Sequence, residues 1–305
     1  MAPRSALVFP GQGSQRVGML AEVPEHDAME RLLDAAEALS GLPLREIEAS
    51  GTDDDLADTR VAQPLLYLTD WAWGQAFLDS GLEPDFVAGH SLGELAALAT
   101  AGVYSVEAGL ELVVERSRLM AQVAVASPGA MSAVIGLDRM SIGAAIAAVE
   151  GVWVANDNAP GQVIISGTRV GVEQASEVLV TAGARRVIPL KVAGAFHSPL
   201  MEAAGEAFSL ILAQTQFEDA RFPVLQNTDP TPETGADAIR SRLMAQITSP
   251  VRWAEAVAFL AERTPLVMVE AGPGAVLTGL AKRVEGITAL SAEAVGVETV
   301  LMEVS

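Results

Sequence analysis

One serine of the chain lies between two glycines, in the stretch Gly89-His90-Ser91-Leu92-Gly93. The pattern Gly-x-Ser-x-Gly is typical of a nucleophile elbow, in which a strand ends, the chain turns sharply and a helix begins. The glycines allow strand and helix to approach closely, because a Cβ there would collide with neighbouring backbone. The serine would then lie at a helix N-terminus, where free N–H groups favour negative charge.

The residues on both sides of this motif support the same interpretation. Residues 83–88 read as a turn and a short strand, and the apolar run after Gly93 reads as a buried helix. The sequence therefore predicts a strand–turn–helix unit with Ser91 as a nucleophile. A glycine-rich turn without catalytic function is the alternative.

A serine nucleophile needs a general base, and the chain has three histidines. His26 lies in an acidic N-terminal loop and is expected to be exposed. His90 is next to Ser91, but adjacent residues at a strand end point to opposite faces. His197 precedes a helix that Pro199 would open, and it follows the serine in chain order, as the base of an elbow enzyme does. We expect His197 to be the base.

The remaining catalytic groups are sought near the serine and the histidine. Asp138 and Asp157 fall between them in the chain, but both belong to a segment expected to be an insert, so we predict a Ser–His dyad. An oxyanion hole needs two N–H donors. The backbone N–H of Leu92 is one candidate, and that of Gln12, in the glycine-rich loop after the first predicted strand, is the other.

Arg116 is a candidate for binding an anion. A helix predicted over residues 106–123 places it among apolar residues of one face. An arginine at the edge of the core can extend its charged end to water. It can also present a fixed guanidinium to a carboxylate in a pocket. Periodicity alone supports both interpretations equally.

Composition limits the class of protein. The chain has 305 residues, half of them hydrophobic, and no cysteine, which excludes disulfides and thiolate metal sites. The net charge of −20 argues against nucleic-acid partners and anionic membranes. No stretch reads as a signal peptide or a membrane span, so we expect a soluble cytoplasmic protein.

The order of predicted elements indicates an α/β fold with a parallel sheet covered on both faces. The segment 128–192 instead reads as the βαββαβ order of a ferredoxin-like unit. We therefore predict a large catalytic domain over residues 1–127 and 193–305 with a small subdomain at 128–192. The strands predicted for the large domain are Ala6 to Phe9, Asp85 to Ala88, Phe222 to Gln226, Leu266 to Glu270 and Thr288 to Leu290.

Taken together, the motifs resemble those of malonyl-CoA:acyl carrier protein transacylases and of the related acyltransferase domains of polyketide synthases. The resemblance covers nearly the whole chain. The motifs that carry it are F-P-G-Q-G-S-Q (9–15), A-Q-P (62–64), G-H-S-L-G-E (89–94), E-R-S-R-L-M (115–120), N-D-N-A-P-G-Q-V-I-I-S-G (156–167), A-F-H-S (195–198), S-P-V-R-W (249–253) and G-P-G-A-V-L-T-G-L-A-K-R (272–283).

The resemblance implies an α/β-hydrolase-like core with a ferredoxin-like insert. It implies that malonyl-CoA acylates Ser91 and that the acyl group passes to the phosphopantetheine thiol of acyl carrier protein. His197 would act as base and then as acid, and Arg116 would bind the free carboxylate. A backbone carbonyl from the loop 249–252 would orient the histidine. No cofactor, no metal and a monomeric enzyme are expected.

Three further residues are assigned to the site through the resemblance. Gln63 would support it, His90 is grouped with the substrate-binding residues, and Phe196 would crowd an α-methyl group, which favours malonyl over substituted malonyl groups. A serine esterase or thioesterase would use the same elbow and admit water, and a non-catalytic carrier-binding protein would keep only the fold. Fatty acid and polyketide synthesis both remain open.

Overall fold

The computed structural model describes residues 3–192 and 194–305. Within these ranges nine strands form two separate sheets. The strands are β1 (Arg4–Phe9), β2 (Phe86–Gly89), β3 (Gly129–Ile135), β4 (Val152–Ala159), β5 (Gln162–Thr168), β6 (Arg186–Pro189), β7 (Val224–Leu225), β8 (Leu266–Glu270) and β9 (Ile287–Ser291).

Helices cover both sheets. The α-helices are α1 (Met29–Ser40), α2 (Leu44–Ser50), α3 (Asp53–Ala57), α4 (Thr59–Asp79), α5 (Gly93–Thr100), α6 (Val106–Ala126), α7 (Arg139–Ile146), α8 (Arg169–Thr181), α9 (Glu202–Gln214), α10 (Ala236–Ala245), α11 (Trp253–Ala261), α12 (Val276–Ala281), α13 (Ala292–Val295) and α14 (Val297–Val304). Short 3₁₀ helices span Met19–Glu22, Pro199–Met201 and Gln246–Thr248. None of the helices in the described ranges is long and apolar enough to cross a membrane.

The first sheet is parallel throughout, with the strand order β7-β2-β1-β8-β9. Alternate residues of β1 pack into two different apolar clusters: Leu7 and Phe9 face one, and Ala6 and Val8 face the other. Because a strand points successive side chains to opposite faces, both faces of this sheet are buried. The predicted α/β core is confirmed.

The second sheet is antiparallel, with the order β4-β5-β3-β6. Its elements follow the chain as β3-α7-β4-β5-α8-β6, which is the ferredoxin-like order predicted from the sequence. Its apolar core is separate and includes Val134, Val163 and Ile165. The limits of 128 and 192 for this unit stay a prediction.

The two sheets meet beside the carboxyl end of β2. Residue Val251, just before α11, forms a parallel bridge with Asn156 of β4. The Val251 N–H donates to the Ala155 carbonyl at 2.8 Å, and the Asp157 N–H donates to the Val251 carbonyl at 2.9 Å. These bonds attach the small sheet to the segment that leads into α11.

Candidate active site

The strand–turn–helix unit predicted around Ser91 is present. Strand β2 ends at Gly89, α5 begins at Gly93, and Ser91 between them has φ +53°. A Cβ on Gly89 would collide with the Gly93 carbonyl, and a Cβ on Gly93 would collide with the carbonyl of Phe9. The two glycines are therefore what allows the sharp turn, and the turn holds the serine in a strained, left-handed conformation.

Ser91 and His197 lie in direct contact. The Ser91 Oγ is 2.7 Å from the His197 Nε2, and the His197 Nδ1 is 3.0 Å from the backbone carbonyl oxygen of Gln246. The carbonyl can only accept, so Nδ1 carries the proton and Nε2 is free to accept the serine proton. The Gln246 carbonyl, in the 3₁₀ helix that precedes loop 249–252, makes this bond, whereas the resemblance implied a carbonyl of the loop itself. The Ser249 backbone of that loop acts in the same direction, since it also raises the pKa of His197.

The environment of His197 keeps its imidazole neutral. Burial and, to a smaller extent, the positive charge of Arg116 lower the pKa of His197 to about 3. The side chain is only 4% exposed. A neutral imidazole with a free Nε2 is the form that a general base requires.

Arg116 lies inside the site rather than at the edge of the core. It is 1% exposed, its Nη1 donates to the Gln63 Oε1 at 2.6 Å, and its Nη2 lies 3.2 Å from the Ser91 Oγ. Burial lowers the pKa of Arg116 to about 10, against the opposing effect of Glu94. The interpretation in which the guanidinium extends to water is therefore wrong, and a fixed cation lies beside the nucleophile.

Two glutamines hold this cation. The Gln63 Nε2 donates to the Thr59 Oγ1 at 2.6 Å, so its Oε1 is turned to Arg116. Gln246, which the sequence analysis missed, contacts three parts of the site. Its Oε1 accepts from the Arg116 Nη2 at 2.9 Å, its Nε2 donates to the Ser91 carbonyl at 2.9 Å, and its own carbonyl accepts from His197. No motif in its neighbourhood marks this residue.

The two backbone amides expected to form the oxyanion hole are available as hydrogen-bond donors. Across residues 3–192 and 194–305, neither the Leu92 nor the Gln12 backbone N–H donates to a protein acceptor. The loop containing Gln12 lies against the elbow, since a Cβ on Gly11 would collide with the His90 carbonyl. The Gln12 side chain accepts from the Thr59 Oγ1 at 3.1 Å, away from its own backbone amide.

The other two histidines have different surroundings. The His90 Nε2 is 2.8 Å from the Asn158 Oδ1, and its ring packs edge-on against Trp253, so it is turned toward the second sheet. His26 is half-buried, with its ring 4.7 Å from that of Trp71. The prediction that His26 is exposed is wrong, because the packing against Trp71 partly covers its ring.

The site opens through two adjoining spaces. Ser91, Arg116 and His197 line a cavity of about 190 Å³. A larger groove of about 810 Å³ shares Gln12 and Phe196 with it. Among the residues described, no group of three or more His, Cys, Asp or Glu could hold a metal. The arrangement suits a ligand whose small anionic end lies in the cavity and whose longer chain lies in the groove.

Fold and site together are those of an α/β enzyme in which a serine, a histidine within hydrogen-bond distance of it and a buried cation lie side by side. Residues 6–300 match the acyl transferase domain family. The chain belongs to this family.

The relatives found within the family carry one activity in their names. The chain is 42% identical over 280 residues to a malonyl CoA-acyl carrier protein transacylase of Synechocystis sp., covering 92% of this chain and 93% of that protein. The crystal structure of a malonyl-CoA:ACP transacylase of Synechocystis sp. superposes with a TM-score of 0.87, at 40% identity and with 94% and 96% of the two chains covered. A malonyl-transacylase solved in complex with its type II polyketide acyl-carrier protein gives 0.88, at 38% identity and 95% of each chain.

Proposed function

We propose that the protein transfers a malonyl group from malonyl-CoA, through an ester on Ser91, to the phosphopantetheine thiol of acyl carrier protein. The observation that carries the proposal is the Arg116 guanidinium, buried and 3.2 Å from the Ser91 Oγ. A malonyl group differs from an acetyl group chiefly by a free carboxylate. Moving that carboxylate out of water requires a fixed cation. The names of the relatives support the same substrate and acceptor.

In the first half-reaction His197 takes the serine proton. The His197 Nε2 accepts it as the Ser91 Oγ attacks the thioester carbonyl of malonyl-CoA. The negative oxygen that forms would be stabilised by the Leu92 and Gln12 N–H groups. The C–S bond then breaks, and the imidazolium returns the proton to the leaving thiolate of CoA.

In the second half-reaction the roles reverse. His197 takes the proton of the phosphopantetheine thiol, the sulfur attacks the ester carbonyl, and the C–O bond to Ser91 breaks. The imidazolium protonates the serine Oγ as it leaves. The burial of His197 and Arg116 supports transfer to a thiol over transfer to water, because bulk solvent has little access to the ester.

The acyl group is unsubstituted malonyl. Phe196 is 8% exposed and lines the cavity next to Ser91 and His197, where it would crowd an α-methyl group. Steric selection of this kind discriminates by about 1–3 kcal/mol. Gln63 and His90 support the pocket, Gln63 through Arg116 and His90 through Asn158.

The finer organisation belongs to the same proposal. The enzyme uses no metal and no resident cofactor, acts as a monomer in the cytoplasm, and binds neither nucleic acid nor membranes, in line with its net charge of −20. Residues 1–127 and 193–305 form the catalytic domain, and residues 128–192 form the small subdomain.

Mass spectrometry of the intact protein tests the proposal. After mixing with malonyl-CoA, a malonyl group is expected on Ser91 and not on the Ser91→Ala variant. Adding phosphopantetheinylated acyl carrier protein is expected to move the label to the carrier. A label on another residue, or no label, contradicts the mechanism. Release of free malonate at a similar rate without the carrier would favour a thioesterase.

A further inference from the structure

The side chain of Asn227 bridges two peptide groups of the elbow. Asn227 follows β7, next to β2 in the sheet. Its Nδ2 donates to the Gly89 carbonyl at 2.6 Å, and its Oδ1 accepts from the Ser91 N–H at 2.7 Å. Because these groups belong to the peptides on either side of His90, one amide fixes both peptide planes that lead into the serine.

Asn227 is itself held from two sides. It is 4% exposed, and its N–H donates at 2.7 Å to the Oε2 of Glu94, a buried residue in the first turn of α5. Its carbonyl accepts from the Arg252 N–H at 3.0 Å. Glu94 of α5, the helix that follows the elbow, therefore holds Asn227, and Asn227 in turn holds the elbow. Together these bonds form a closed ring of hydrogen bonds around the turn.

The two hydrogen bonds of the Asn227 side chain determine the orientation of Ser91. A non-glycine residue in the left-handed region costs about 1–2 kcal/mol, so Ser91 stays there only when its surroundings fix it. The two flanking glycines permit the turn, but they supply no bond that holds it. Asn227 also accepts a hydrogen bond from the Ser91 N–H. The next backbone amide, that of Leu92, therefore remains available to donate to a substrate oxygen.

We infer that Asn227 is a positioning residue for acylation, which sets the Ser91 Oγ and the Leu92 N–H through the backbone and does not touch the acyl group. The inference rests on the proposed serine chemistry. An amide is required because one atom must donate to the Gly89 carbonyl while the other accepts from Ser91. An ionised aspartate could accept from Ser91, but its second oxygen would face the carbonyl oxygen of Gly89.

Asn227→Asp and Asn227→Ala in the full chain test this inference, with exposed Gln174→Glu as the control that adds the same charge. Rapid quenching gives the rate of Ser91 acylation at saturating malonyl-CoA. Titration of each variant on a Ser91→Ala background gives the Kd for malonyl-CoA. We expect acylation to fall about 10- to 1,000-fold, as for loss of an oxyanion donor, with Kd within threefold and the control unchanged.

Several outcomes would overturn the inference. They are acylation within threefold of the wild type in a folded Asp or Ala variant, or a Kd that weakens by the same factor as the rate. If the Asp variant does not fold, the uncharged Ala variant decides. Failure of both to fold would make Asn227 a residue of the fold only.

The inference can be separated from the proposed function. If the wild type is not malonylated, the proposed function fails. The role of Asn227 is then tested by comparing the rates at which a fluorophosphonate labels Ser91 in the wild type and in the two Asn227 variants. That probe forms a bond to an activated serine and contains no carboxylate. Equal labelling of the wild type and both variants would overturn the inference.

Discussion

Strands β2 and β8, on either side of β1, both end in a glycine-containing turn that opens a helix, yet the two helix N-termini are used differently. After β8, the Glu270 carboxylate accepts from the Leu277 and Thr278 N–H groups at 2.9 and 2.7 Å. After β2, in the described part of the chain, the Leu92 N–H has no protein acceptor. One N-terminus is filled by the protein's own anion, and the other is free for the substrate oxygen that the proposed function places there.

The difference shows that a glycine-rich turn before a helix does not by itself make an anion site. Free N–H groups at a helix start attract any acceptor, and a carboxylate at the end of the preceding strand satisfies them inside the fold. This explains why the glycine-containing stretch that begins at Gly272 is a structural turn that opens α12. The proposed oxyanion hole needs a helix start at which no carboxylate of the protein takes up the N–H group.

The comparison of the two turns predicts that His197, the histidine beside the elbow after β2, is required for transfer. In His197→Ala the Ser91 proton has no acceptor, so transfer from malonyl-CoA to the carrier is expected to fall by at least about 10²- to 10⁴-fold. Steady-state transfer by protein with unchanged circular dichroism measures it. His26→Ala, whose ring packs on Trp71 outside the site, is the matched histidine control. Rates near the wild type in His197→Ala would exclude the dyad.

The next prediction concerns the cation at the β2 site. Arg116→Ala is expected to reduce kcat/KM for malonyl-CoA by roughly 30- to several-thousand-fold, because a buried charge pair that loses one member costs about 2–5 kcal/mol. Acetyl-CoA has no carboxylate for this cation, so its transfer should stay equal or improve. The ratio of the two kcat/KM values is the measurement. An equal fall for both thioesters would make Arg116 a structural residue.

A third change tests the β8 turn. Glu270→Ala leaves the Leu277 and Thr278 N–H groups without their acceptor and opens a small cavity, so the free energy of unfolding should fall by about 2–4 kcal/mol. Acylation of Ser91 by the folded fraction should change less than threefold. Urea unfolding and the acylation rate together check this. A loss of acylation with stability unchanged would contradict the assignment of structural and catalytic roles to the two turns.

The sequence predicted the parts of the site that local patterns specify. The elbow around Ser91 follows from two glycines at fixed spacing, and the parallel sheet follows from short buried strands between helices. His197 was found by elimination among three histidines. The small sheet followed from its element order, including the hairpin whose turn has Gly161 at φ +71°.

The parts that the sequence analysis missed are long-range hydrogen bonds. Gln246 lies 155 residues from the Ser91 carbonyl to which it donates, and Asn227 lies 138 residues from Gly89. A single glutamine in a short 3₁₀ helix, or an asparagine in a loop, has no periodicity that distinguishes a buried hydrogen-bonding side chain from a solvated one. The Gln246 carbonyl beside His197 was missed for the same reason, since its position depends on how α10 and the following 3₁₀ helix pack.

The smallest effect on transfer is predicted for a second carboxyl, beneath the β8 turn. Asp70 is fully buried, a Cβ on Gly272 would collide with its Oδ1, and neither oxygen has a partner among the described residues. Burial and the nearby charge of Glu270 raise the pKa of Asp70 well above its ordinary value. The folded protein therefore keeps a proton that the unfolded chain loses near pH 4, and stability from this group falls as pH rises above that value.

Asp70→Asn removes this titration while it keeps the size of the side chain. The gain in unfolding free energy of the variant over the wild type should therefore grow from pH 5 to pH 8, with acylation of Ser91 unchanged at each pH. Urea unfolding of both proteins at pH 5, 6.5 and 8 measures the difference, and other titrating groups cancel in it. A gain that is constant with pH would mean that Asp70 is not a protonated buried acid. The β8 turn would then differ from the elbow only in the Glu270 cap, and not also in an unpaired, protonated acid beneath it.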